Sequence, residues 1–111
     1  MADKHMTRLD LIQLVGEVVT AIDVLRSQFD RKTKRRTALD NYRDALDTAQ
    51  RKFVREMFQT NTKAFVDLTK ELKALNKDLK ETIESVEKVA ESLELLVKFV
   101  GVVQKIAGLI L

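Results

Sequence analysis

Residues 62–111 read TKAFVDLTKELKALNKDLKETIESVEKVAESLELLVKFVGVVQKIAGLIL, with no proline and with glycine only at Gly101 and Gly108. Phe58, Phe65, Leu72, Leu79, Val86, Leu93, Val100 and Ala107 recur at intervals of seven, and Asn61, Leu68, Leu75, Thr82, Val89, Leu96, Val103 and Ile110 follow them three residues on. That 3-4 spacing places both series on one side of a slightly underwound helix, as in packed helices and coiled coils. Lys63, Lys70, Lys77, Glu84, Glu91, Lys98 and Lys105 are charged at every turn of the opposite side, as a solvent-facing line should be. The period predicts one long helix over 62–110.

The apolar seam widens toward the end. Up to Glu91 its flanks are mostly polar, but after Ser92 they become Leu95, Val97, Phe99, Val102, Ile106 and Leu109. A helix apolar around most of its circumference must be covered by something. Leu93, Leu96, Phe99, Val100, Val103, Ile106 and Ile110 are therefore the candidate interaction seam. Residues 93–111 also resemble an amphipathic membrane-active segment with a narrow lysine-bearing strip. Glu94, Lys98, Gln104 and Lys105 make the same run a poor membrane span.

Upstream, Thr7 with Asp10 forms an acidic capping box and opens a first helix over about 7–29. Its apolar residues cover more than half its circumference, so it is expected between two neighbours. Thr37 with Asp40 repeats the signal and opens a second helix over about 38–59, with a narrower face of Leu39, Tyr42, Leu46, Ala49, Phe53 and Met57. Gln59-Thr60-Asn61-Thr62 are indifferent helix formers and favour a break, whereas Val54 and Phe58, already in phase with the later heptads, favour continuity. Asn61, polar on the seam, is either a turn residue or a device that fixes register. Asp78 and Glu81 offer another acidic cap, so a bend near residues 76–82 is the alternative to an unbroken helix.

The 111 residues, with no Pro, three Gly, 45% hydrophobic and 33% charged side chains, suit a single all-α domain: an antiparallel three- or four-helix bundle ending in a coiled-coil-like helix. An unbroken third helix would leave residues 85–111 projecting about 40 Å, to be buried by other copies, a partner or lipid. A bend would instead close a four-helix bundle. His5-Met6 has the look of a cloning remnant, so residues 1–6 are expected outside the domain. The opening residues lack the basic start of a signal peptide, and the absence of Cys rules out disulfides and mildly favours a cytoplasmic site, at most at the membrane surface.

Net charge is only +3, but 26–36 sets six basic residues against Asp30. Arg31, Lys32, Lys34, Arg35 and Arg36 are the candidate contacts for an anionic lipid surface or a phosphate backbone. Low overall charge, acidic helix faces and the lack of neighbouring aromatics weigh against nucleic acid. Glu81, Glu84, Glu87, Glu91 and Glu94 recur at helical spacing, but Glu84 and Glu91 lie on the line facing away from the seam, so a solvated acidic face is expected and not a metal site. No nucleophile–base pair or nucleotide loop is evident, so no catalytic residue, cofactor, metal or small-molecule substrate is expected. The sequence points to an interaction protein working through helix faces as a homo-oligomer or with a helical partner. Its runner-up is a peripheral or pore-forming membrane protein using 93–111 and 26–36, and its weakest alternative is a nucleic-acid-associated protein.

Overall fold

The computed structural model describes residues 6–110, which form four helices: α1 (Arg8–Arg26), α2 (Lys34–Arg55), α3 (Lys63–Thr82) and α4 (Val89–Gly108), the last entered through a 3-10 turn at Val86–Lys88. The protein is an all-α helical bundle. Successive helices make two antiparallel hairpins, α1/α2 and α3/α4, which meet through α2 and α4. Lys52 and Arg55 lie beside Gln104 and Ala107, so α2 and α4 run in the same direction. On the opposite side α1 and α3 also run parallel, with Val18, Ala21 and Val24 facing Leu79 and Ile83 across a gap. The Cα envelope, 41 × 30 × 17 Å, is flattened accordingly.

Helix α1 starts where its sequence says. The Thr7 hydroxyl accepts from the Asp10 amide at 3.1 Å while the Asp10 carboxylate accepts from the Thr7 amide at 3.0 Å, closing a full capping box. Met6, expected outside the domain, is buried in the core at 4% exposure.

Helix α2 starts four residues earlier than 38. Its cap is Thr33, whose hydroxyl accepts from the Arg36 amide, and Thr37 inside the helix donates its hydroxyl to the Thr33 carbonyl. Basic residues in a first helical turn oppose the helix dipole, so something must offset Lys34, Arg35 and Arg36. Arg36 does so by reaching back to the end of α1, donating to the carbonyls of Arg26 and Phe29 at 3.2 Å each. The other end of the hairpin mirrors this. Arg8, in the first turn of α1, donates to the Phe53 carbonyl at 2.7 Å and also to that of Val54, near the end of α2. Each helix thus supplies an arginine that donates to carbonyls at the end of the other, where intrahelical donors run out.

The long helix is broken twice. Glu56 leaves α2 in an extended conformation, and Thr62 caps α3 by accepting from the Phe65 amide. Phe53, Phe58 and Phe65 stack across this turn with ring centroids 5.8 and 5.9 Å apart, so the in-phase Phe58 helps fold the corner. The second break lies at 83–88, a turn later than the alternative bend at 76–82. Asn76 and Asp78 stay helical, and Ile83 tucks into the core at 7% exposure as the chain turns. The expected single helix over 62–110 is therefore two antiparallel ones, and residues 85–111 do not project.

The heptad seam survives the break because both helices turn it inward. Phe65, Leu72 and Leu79 from α3 meet Val89, Leu96, Val100 and Val103 from α4 in a core that also takes Leu11, Ile22, Leu39, Leu46 and Phe53. α1 has neighbours on one side and an open edge on the other, so Val15 and Ile22 are buried, Ile12 and Val19 half-buried, and Val24 remains 64% exposed.

Candidate interaction surfaces

The proposed seam on α4 is internal to this chain. Leu96, Phe99, Val103 and Ile106 are fully enclosed, Val100 and Ile110 are buried, and Leu93 is half-buried. The two hairpins supply the cover, so the seam meets neither another copy nor lipid unless α4 detaches. The same break places the end of α4 away from the basic cluster. Leu109 and Ile110 lie beside Met57 and Phe58, beyond the far end of α2, about 33 Å from its start at 1.5 Å per residue. The fold thus keeps 93–111 and 26–36, the two parts of the expected membrane contact, from presenting one joint surface at the end of α4. Among the described residues no helix is long and apolar enough to cross a membrane. Asn61 is exposed in the α2–α3 turn, where it faces no seam and cannot set register; its role is that of a turn residue.

The basic cluster divides into two groups. Arg26 and Arg36 are structural: Arg26 donates to Asp23 and Asp40 at 2.8 Å each, Arg36 to Asp40 at 3.1 Å, and Arg43 to Asp23 at 2.6 Å. This network ties the end of α1 to α2. The hydrogen bond from Arg26, helped by Arg36, holds the Asp40 carboxyl below its ordinary range against the opposing effect of desolvation. Asp40, read as a helix cap, is in fact the node of these ion pairs. The remaining Arg31, Lys32, Lys34 and Arg35 are exposed and make no side-chain ion pair, leaving four uncompensated cations on one corner.

A second charged corner lies at the α3–α4 turn. Glu81, Glu84, Glu87 and Glu91 are all exposed there, with Lys88 among them and without an ion pair to any carboxylate of the four. Among the described residues no three potential metal ligands gather closely enough to hold an ion.

Between these corners runs the gap separating α1 from α3, a groove of about 330 Å³. Val18, Ala21, Leu79 and Ile83 line it with Val24 and Glu84 at its upper edge, and Glu17 reaches Lys80 across it at 3.7 Å. Val24 lies near the end of α1, and Glu84 opens the acidic turn. The groove therefore opens at the end of the bundle where the two charged turns lie. Sequence reasoning missed it because the relevant signal, the excess apolar width of α1, does not say which side will be left uncovered.

A second apolar spot lies at the other end, where Met57 is 83% and Leu109 44% exposed beside a shallow cleft of about 270 Å³. Comparison of the chain with protein-family models, with curated proteins and with solved structures finds no match.

Proposed function

We propose that this protein is a non-enzymatic helical interaction module that binds a helical protein surface, its own copies included, through the open face between α1 and α3. The observation that supports this most is the gap between α1 and α3, where Val24 stays 64% exposed beside a floor of Val18, Leu79 and Ile83, while the other side of the bundle is packed. Covering apolar surface is favourable by about 25 cal/mol per Å². Adjacent unpaired charge of both signs adds direction to such an encounter.

The test is the size of the particle, for purified protein and for the same chain in a cell extract, compared with Val24→Glu. The variant places a carboxylate on an exposed rim and should leave folding intact. Wild type running heavier than its 12.7 kDa in at least one setting, with the variant reverting to that mass, is the expected result. A wild-type chain of monomer mass in both settings sinks the reading.

A second reading, contact with an anionic membrane surface, has its own support in Arg31, Lys32, Lys34 and Arg35, each such cation near a charged bilayer contributing about 1 kcal/mol. The exposed glutamates at the same end weigh against it, and equally against a nucleic-acid backbone. Flotation with phosphatidylserine vesicles tests it; a chain that stays in the dense fraction ends it.

A further inference from the structure

We propose that the end of the bundle formed by the α1–α2 and α3–α4 turns binds a second copy of this chain across a two-fold axis that lies along the α1/α3 groove. This rests on the interaction-module reading and names its partner. At this end the turn that follows α1 carries Arg31, Lys32, Lys34 and Arg35, exposed and without an ion pair, and the turn that follows α3 carries Glu81, Glu84, Glu87 and Glu91. A two-fold contact sets each surface patch against the corresponding patch of the partner. With the axis perpendicular to the line joining the two corners, each basic corner faces an acidic one, and Val24, exposed at the groove rim, lies near the axis in both copies.

The alternatives fit the charges less well. A polyanion approaching this end head-on meets the four cations and the four glutamates together, so attraction to one corner is offset by repulsion from the other. A copy of the same chain satisfies both corners at once, and a wrong orientation juxtaposes like charges, which disfavours it. The lower cleft beside Met57 and Leu109 carries no such complementarity.

Sedimentation equilibrium of the purified full chain at low and high salt provides the test. Exposed charges are screened over about 10 Å at 0.1 M salt and about 3 Å at 1 M, so the dimer should weaken at least ~10-fold over that range. Two reversed variants sharpen it: Lys32→Glu with Arg35→Glu, and Glu84→Lys with Glu87→Lys. All four positions are exposed, and acidic residues near the start of α2 favour the helix, so helicity by circular dichroism should match wild type. Each variant alone should be monomeric, and an equimolar mixture should form the heterodimer.

A monomer at every salt concentration, a dimer indifferent to salt, or a mixture that stays monomeric overturns the proposal. Purified protein that is monomeric yet floats with phosphatidylserine vesicles, and loses this on Lys32→Glu with Arg35→Glu, assigns the corner to lipid and also overturns it. A chain monomeric when pure but heavy in extract overturns the self-pairing while leaving the module reading intact.

Discussion

α2 against α4 and α1 against α3 are both parallel helix pairs, yet only the first is packed along its length. The difference lies in what each helix turns toward its neighbour. α2 and α4 bring Ala45, Ala49 and Ala107 to their shared edge among Lys52, Arg55 and Gln104, and small side chains let two backbones approach until the larger residues interlock while the long polar ones turn outward. α1 and α3 bring Glu17, Asn76 and Lys80 to theirs. Charged and amide groups resist desolvation, and one long ion pair at 3.7 Å does little to draw the helices together, since exposed pairs contribute about 0–1 kcal/mol. Polar groups border both pairs, so closure depends less on how much apolar surface a helix has than on how many small side chains its edge offers.

The contrast can be broken most severely from the packed side. Phe99→Ala should lower unfolding free energy by about 3–5 kcal/mol, because Phe99 is fully enclosed and its removal leaves a cavity; urea denaturation measures this. Ser92 is also fully buried, and its hydroxyl has no hydrogen-bond partner. Ser92→Ala should raise stability by about 1 kcal/mol, the lower end of the cost of an unsatisfied buried polar group, and an unchanged denaturation midpoint would show that the hydroxyl is satisfied after all. Gly101 sits within α4 with nothing within 4 Å of a Cβ placed there. Gly101→Ala should therefore stabilise by about 0.5–1 kcal/mol and leave association unchanged; weakened association would mean that a partner helix uses the Gly101 side.

Asp40 tests the charged end. Its folded pKa lies below the ordinary 3.8, so its contribution to stability is fully present above that value and fades as pH falls through the lower folded pKa. Asp40→Asn should thus destabilise at neutral pH and converge with wild type in strong acid. A constant difference across pH would show that the Arg26–Asp40 bond contributes nothing through ionisation.

Much of the fold is legible in the sequence. The Thr7–Asp10 box places the start of α1, and the heptads 58–110 name core residues of two helices, because capping and periodicity are local. The direction of the chain after Thr82 is not legible, since no proline or glycine marks 83–88 and Asn76 and Asp78, which do look like turn residues, are carried through by the helix. The start of α2 is misread for a related reason: Thr37 with Asp40 carries the stronger local capping signal, but Arg36 and Asp40 are engaged with the end of α1, and Thr33 takes the cap instead. The candidate docking end belongs wholly to the illegible part. Its charges are visible in the sequence, but bringing the 31–35 and 81–91 clusters to one end requires the second turn.

The diagonal connector 56–62 carries a consequence for how the molecule assembles in time. It joins two hairpins whose internal contacts are close in sequence, and such contacts cost little loop entropy to make. Docking α2 on α4 is the main step that unites distant parts of the chain, so the speed of folding should depend on Ala49 and Ala107 more than on any residue inside a single hairpin.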